Sequence, residues 1–505
     1  MHTLDQHKVL ILGLGASGLA MARWAARQGA QVVVADTRAE PPQLTALQRE
    51  VPGARFIPGA LNARLVEGTD VQAVFKSPGL SPAQVAPVVD AARAIGLWVS
   101  GELGLFAQAL AQLRAQQAYA PSVLAVTGTN GKTTVTALTA QLLARCGKRV
   151  AVAGNIGPTL LDTLLTHLDG QSLPEVWVLE LSSFQLDGET SFEPTAATVL
   201  NITQDHLDWH GTMAAYVQAK AAVFGQTAKM LLNRDDAAVT SMLPDVVKQK
   251  GQRAHVRERV TFGSDLPTRA GDFGIEQVNG MRWLVRAVPM DDAVRKRGEP
   301  AAEVHIQRLI PADALRVRGG HNTVNALAAL GLASTAGCAL GPMLYGLREY
   351  KGEPHRVQAV GVINGVEYFD DSKGTNVGAT VAALKGLGSE RKLVLILGGE
   401  GKGQDFSPLT EPVARFARCV VLIGRDASLI RAALLGTGVT LLEASSMPDA
   451  LAQAAQQARA GDAVLMSPAC ASFDMFDNYE HRAAVFVRCV AELADQAGVV
   501  LELAA

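Results

Sequence analysis

The sequence predicts an α/β protein of three domains, and three observations lead there. Short β-branched runs recur between alanine-rich helical stretches: KVLILGLG, QVVVADT and AVFKSPG early in the chain, then SVLAVTG, EVWVLELSS and AATVLNIT, and finally KLVLILGG, CVVLIG and AVLMSPA. Apolar runs closed by glycine or a polar turn are what buried parallel strands with crossover helices require. At 505 residues the chain is too long for one ordinary core, and 48% hydrophobic against 19% charged residues place it among folded globular proteins.

Two stretches separate the three blocks. One is SGELGLFAQALAQLRAQQAYAPS, 100–122; the other is LREYKGEPHRVQ, 347–358, where Gly352 and Pro354 break the helical pattern. Domains are therefore expected at 1–105, 106–352 and 353–505. The first and third read as Rossmann-like, the central one as a P-loop domain with a parallel sheet and a smaller β-rich part. That β-rich part is 247–318, where Asn279-Gly280 between alternating runs predicts a hairpin and MDDAVRKRGEPAA predicts a loose loop.

A formal net charge of −2 argues against a nucleic-acid surface. Cys146, Cys338, Cys419, Cys470 and Cys489 are far apart and lack CxxC spacing, so they read as thiols of a reducing compartment. The N-terminus runs straight into a strand without the features of a signal peptide, and no apolar run approaches the roughly 20 residues that span a bilayer. A cytoplasmic enzyme with no membrane or nucleic-acid partner, and a monomer, is expected.

Two glycine turns must share the nucleotide chemistry. ILGLGASGLA sets Gly13, Gly15 and Gly18 in GxGxxG spacing between a strand and a helix, with Asp36 ending the next strand. Such glycines let the backbone approach a pyrophosphate at the positive end of a helix. NAD is one occupant, and a dehydrogenase the corresponding reading; Asp36 could equally meet another nucleotide's ribose or cap a turn. TGTNGKTT lies between SVLAV and VTALTAQLL, the strand-loop-helix context of a phosphate loop shortened from the usual spacing, with Gly128 and Gly131. Its amides suit triphosphate oxygens, Lys132 can neutralise charge near a transferred group, and the Thr133 hydroxyl can reach magnesium. ATP with Mg2+ is the expected occupant.

VLELSSFQL puts Glu180 at a strand end, and NITQDHLDWH puts Asp205 and His206 after the next strand. Strand C-termini in a parallel sheet converge on the rim that carries the phosphate loop, so these groups predict a metal site there.

Taken together, TGTNGKTT, ELSSFQL, NITQDHLD with a lysine after it, GGHNTVNALAA and EPHRVQ, in that order, make the whole chain resemble the Mur ligases, ATP-dependent amide-forming enzymes of peptidoglycan precursor synthesis. Folylpolyglutamate synthases share the middle-domain plan. DDSKGTN and SPACASFDMFDNY resemble the D-glutamate-adding branch and argue against another amide ligase. The resemblance implies UDP-N-acetylmuramoyl-L-alanine and D-glutamate as substrates, joined through an acyl phosphate, with UDP rather than NAD at the first glycine turn.

Position by position, it implies Lys132, His206, Lys220, Arg356 and Lys373 as catalytic. ATP would contact Gly128, Thr129, Asn130, Gly131, Lys132, Thr133, Thr134, Asn325, Arg356 and Asp371. The UDP-substrate would contact Ala16, Ser17, Asp36, Thr37, Arg38, Ser77, Gly79, Asn155 and Ser182. D-glutamate would meet Thr375, Lys402, Ser472, Phe473 and Tyr479, and the two carboxylates of that substrate explain the need for Lys402. Magnesium would take Thr133, Glu180, His206 and Lys220, the last as a carbamate because an ammonium cannot ligate a cation. From the residues alone Lys220 reads equally as a solvated helix lysine, and Asn322 and Asn325 as helix caps. Tyr479 stands where an aromatic without the hydroxyl is common in the family, and 247–318 is longer than the family's compact version.

Overall fold

The computed structural model describes residues 3–244, 257–290, 303–317 and 319–501. They fall into two compact units, 1–202 with 209–310 and 326–347, and 203–208 with 311–325 and 348–505. Among the described residues no helix is long and apolar enough to cross a membrane.

The first unit carries three sheets. Strands β1 (Lys8–Leu12), β2 (Gln31–Asp36), β3 (Arg55–Pro58), β4 (Ala73–Lys76) and β5 (Trp98–Gly101) form a parallel sheet in the order β3-β2-β1-β4-β5. The order reverses between β1 and β4, and in such sheets a ligand crevice opens at the carboxyl ends of the strands there. Those two ends carry Gly13 and Ser77.

Strands β6 (Ser122–Thr127), β7 (Val150–Gly154), β8 (Val176–Glu180), β9 (Ala196–Val199), β10 (Lys229–Asn233) and β11 (Arg259–Phe262) make a second parallel sheet, β11-β10-β9-β6-β8-β7. β6 lies between β8 and β9, which sets the phosphate loop between the ends of both. The third sheet holds β12 (Phe273–Val278), β13 (Met281–Pro289) and β14 (Val304–Pro311). Asn279 and Gly280, with φ of 50° and 81°, turn β12 into β13 as the sequence predicts. The loop expected over MDDAVRKRGEPAA lies almost wholly outside the described residues.

The stretch 100–122, expected as a seam, is largely helical. Glu102–Gln117 is a helix whose Leu103, Leu105 and Phe106 are buried, with Phe106 edge-on to Trp177 at 5.1 Å between ring centroids. It shares one apolar core with the helix Ala16–Arg27 and the helix Leu160–Asp169.

In the second unit β15 (Gln358–Ile363), β16 (Val366–Asp370), β17 (Leu393–Gly398), β18 (Ala417–Ile423), β19 (Thr440–Glu443) and β20 (Ala463–Met466) form the sheet β15-β16-β20-β17-β18-β19. Only the β15–β16 pair is antiparallel among its described pairings. Asp371 and Ser467 follow the ends of neighbouring strands and so come together.

Candidate active site

The phosphate loop begins where β6 ends. Gly128 has φ of 146°, and a Cβ there would sit 3.0 Å from the Leu200 side chain and 3.1 Å from the Leu200 amide nitrogen, so both conformation and space require glycine. Asn201 holds the loop: its carbonyl accepts from the Thr129 amide at 2.9 Å, its Oδ1 from the Asn130 amide at 2.8 Å, and its Nδ2 donates to the Asn130 carbonyl at 3.1 Å. Gly131 then caps the helix Lys132–Arg145, whose first turn contains buried Thr133 and Thr134. The amides of that turn and the positive end of the helix suit phosphate oxygens. The Lys132 ammonium folds back on the loop, donating to the Gly128 carbonyl at 3.0 Å and the Thr129 carbonyl at 2.9 Å.

Register places Glu180 beside Val126, just before the loop. Its carboxylate is 1% exposed; Oε1 accepts from Asn155 Nδ2 at 2.8 Å, and Oε2 is buried without a hydrogen-bond partner. A buried carboxylate oxygen left open is costly unless something else meets it. With the Thr133 hydroxyl it makes an all-oxygen donor set, which fits a hard divalent cation. Among the described residues no group of three or more His, Cys, Asp and Glu is arranged to hold a metal ion. Ser182, two residues beyond Glu180, caps the short helix Ser183–Leu186 through a reciprocal bond with Gln185.

Lys220 is not a solvated helix lysine. Its side chain is 2% exposed, and the ammonium donates to the Gly128 carbonyl at 2.9 Å, reaches Thr127 Oγ1 at 3.4 Å and lies 4.8 Å from the centre of the Tyr216 ring. Lys132, Glu180, Asn155 and Lys220 thus gather around one loop. His206 belongs to the second unit, where φ of 53° and a bond from its own amide to Asp205 Oδ1 at 2.9 Å fix its turn; Asp205 Oδ2 accepts from Asn376 there.

At the first glycine turn, a Cβ on Gly18 would meet the Gly13 carbonyl oxygen at 2.0 Å, so the helix can approach the strand only with glycine. Ser77 donates to that same carbonyl at 2.9 Å. Asp36 accepts from the Leu14 amide at 2.7 Å and from the amide and guanidinium of Arg38. Burial alone would push its carboxyl up, but Arg38 and the two amides outweigh that and bring it down to about 2. Asp36 therefore braces the turn and aims Arg38. Ala16, Thr37, Arg38 and Gly79 are exposed around this end of the sheet.

Sequence reasoning missed Glu102 beneath this turn. Its buried carboxylate accepts from the Leu161 amide at 3.0 Å and bonds the Ser17 hydroxyl; burial, reinforced by nearby Asp162, outweighs these and pushes it from 4.5 up to about 7. A carboxyl whose pKa rises on folding stabilises the fold fully below about 4.5 and loses that contribution as pH climbs through about 7. Thermal melting of the Glu102→Gln variant is accordingly expected to lose the part of the decline in Tm between these two pH values that the parent shows.

In the second unit Asp371 is buried, and that burial pushes it up to about 7 despite Ser467 donating at 2.6 Å, Arg356 nearby and the Val357 amide at 3.2 Å. Asn325 Nδ2 donates to Asn322 Oδ1 at 3.2 Å. Lys373 faces the Tyr479 ring at 5.2 Å, and Lys402, at φ of 53°, faces exposed Phe473 at 6.0 Å. Thr375 is half-buried and Ser472 buried. Arg482, also missed from sequence, is buried and donates to the Ser372 carbonyl at 2.7 Å and the Cys470 carbonyl at 3.1 Å, tying together the two segments that carry these groups.

A phosphate loop flanked by a buried carboxylate and a buried lysine, on a parallel sheet set in sequence between two further α/β sheets, defines a nucleotide-triphosphate-using enzyme of the three-domain α/β class. Residues 7–101 match the Mur ligase MurD-like N-terminal domain, 126–333 the Mur ligase middle domain and 355–470 the Mur ligase glutamate ligase domain. The UDP-N-acetylmuramoylalanine--D-glutamate ligase of Albidiferax ferrireducens is 70% identical over 505 residues, all of both chains, and that of Ralstonia nicotianae 55% identical over 98% of each. The fold is similar to that of the MurF ligase of Thermotoga maritima in complex with ADP, at a TM-score of 0.58 and 16% identity over 98% of this chain and 100% of that one. The chain belongs to the Mur ligase family, a family of ATP-dependent ligases.

Proposed function

We propose that the chain couples D-glutamate to UDP-N-acetylmuramoyl-L-alanine while ATP is converted to ADP and phosphate. The observation that carries this reading is the gathering of Lys132, the open oxygen of Glu180 and buried Lys220 around one phosphate loop, in a chain 70% identical to a ligase of that name. A carboxylate is a poor acyl donor until one oxygen becomes a leaving group. Transfer of the terminal phosphoryl group of ATP to the alanyl carboxylate supplies it, the D-glutamate amine attacks the acyl phosphate, and phosphate leaves with the bonding pair as the nitrogen loses a proton.

Lys132 offsets the negative charge that gathers when a triphosphate meets a carboxylate, and loop amides orient the phosphates. Thr133 and Glu180, with His206 and a carbamate on Lys220, are the residues that would hold magnesium. Bound magnesium supplies Lewis-acid stabilisation of phosphoryl oxygens. On the substrate side, Asn155 and Ser182 serve the reacting end of the UDP-substrate, and the first glycine turn with Asp36, Arg38 and Ser77 serves its nucleotide. Arg356, Asp371, Lys373 and Asn325 serve ATP, and Thr375, Lys402, Ser472, Phe473 and Tyr479 serve D-glutamate. The enzyme acts as a cytoplasmic monomer on this reading.

Phosphate release with UDP-N-acetylmuramoyl-L-alanine across a panel of amino acids tests it. D-glutamate is expected to stand alone; equal turnover with other amino acids, or none with D-glutamate, would overturn the assignment.

A further inference from the structure

His210 has no part in the chemistry above, yet it touches both sides of it. Its Nε2 lies 2.9 Å from the Ser183 hydroxyl, in the first turn after Ser182 and three residues beyond Glu180. Its ring stacks on Phe184 at 5.8 Å with an interplanar angle of 19°, meets Trp209 at 4.5 Å, and approaches Tyr216 at 5.3 Å. Tyr216 is 1% exposed; its hydroxyl is 3.0 Å from the Thr129 hydroxyl of the phosphate loop, and its face carries the Lys220 ammonium.

We infer that His210 is a positioning residue that couples the segment after Glu180 to the phosphate loop and to Lys220. One imidazole fixes Ser183 by hydrogen bond and Tyr216 by ring contact; Tyr216 in turn fixes Thr129 by hydrogen bond and supports the Lys220 ammonium. Stacked, hydrogen-bonded aromatic groups hold such geometry because each partner has little rotamer freedom to lose. Small misplacements of reacting groups are expensive in rate, whereas the affinity for an amino acid held by other residues has no reason to change.

The effect on turnover rests on the ligase reading, but the coupling does not, so two readouts separate them. In the substrate-free full chain, His210→Ala is expected to speed amide hydrogen exchange in the phosphate loop about tenfold, and His210→Phe, which keeps a ring against Tyr216, to leave it near the parent rate. In steady-state assays His210→Ala is expected to lower kcat about tenfold with the KM for D-glutamate unchanged, and His210→Phe to recover part of the loss. Tyr216→Phe combined with His210→Ala should cost less than the product of the two single losses. Unchanged loop exchange in His210→Ala, or equal loss in the Ala and Phe variants, would overturn the coupling. A parent enzyme without turnover would instead overturn the ligase reading while the exchange result still decides the role of His210.

Discussion

Replacing Lys132 by alanine is expected to lower kcat by about a thousandfold while leaving the KM for the UDP-substrate close to the parent value. The ammonium sits at the mouth of the loop, 3.0 and 2.9 Å from the Gly128 and Thr129 carbonyls, where an incoming triphosphate would exchange those neutral acceptors for phosphate oxygens. Its charge counts most when the γ-phosphoryl group is between donor and acceptor, because negative charge is then spread over both without water to screen it. On the proposed reading the sugar nucleotide, by contrast, would be held by a different glycine turn on a different sheet. Lys132→Arg is expected to rescue little, since a planar guanidinium does not replace a point charge that fits between two loop carbonyls. Phosphate release at saturating ATP checks both variants. A Lys132→Ala enzyme within tenfold of the parent would show that the loop does not bear on phosphoryl transfer.

The second large effect is expected at Lys220. Lys220→Ala should lower kcat by at least about a hundredfold, and short carboxylic acids such as acetate or propionate should restore part of it. The reason is where the side chain lies: 2% exposed, beneath Gly128 and against Tyr216. A bare ammonium brought this close to a cation site would repel the cation, whereas a carbamate on the same nitrogen presents an anionic oxygen of the kind magnesium takes. Removing the side chain leaves a hole lined by the same groups, and a small carboxylate can enter it. Full activity in the alanine variant would remove Lys220 from the mechanism; loss that no carboxylic acid repairs would make its role a packing one.

Much of this was legible in the sequence because parallel strands buried on both faces read as continuous apolar runs. KVLIL, VWVLE and LVLILG are strands of the interior and declared themselves. Strands at sheet edges did not: RFIP and TLLE are short and half-exposed, and their pattern is no different from that of a loop. Within the stretch read as a seam, the helix Glu102–Gln117 has a Gly-rich start and runs into polar glutamines, and the burial of its first turns in the core was not legible from that pattern.

At the site, residues that belong to a glycine turn or a strand end were legible, because the local motif states their chemistry. Lys132, Thr133 and Glu180 are of this kind. Asn201, Glu102, His210 and Arg482 were not, since each acts through a partner at least 27 residues away: Asn201 through Asn130, Glu102 through Leu161, His210 through Ser183, and Arg482 through Ser372. Asp36 was half legible. Its position after β2 marks it as a nucleotide-site residue, but only the structure shows its carboxylate already engaged with Leu14 and Arg38.

Phosphoryl transfer to the sugar-linked carboxyl is the step on which everything else depends, and isotope transfer reads it directly. UDP-N-acetylmuramoyl-L-alanine labelled with 18O in its terminal carboxylate, turned over with ATP and D-glutamate, is expected to deliver one labelled oxygen to the released phosphate, seen by 31P NMR. Phosphate free of label after amide formation would contradict transfer through an acyl phosphate.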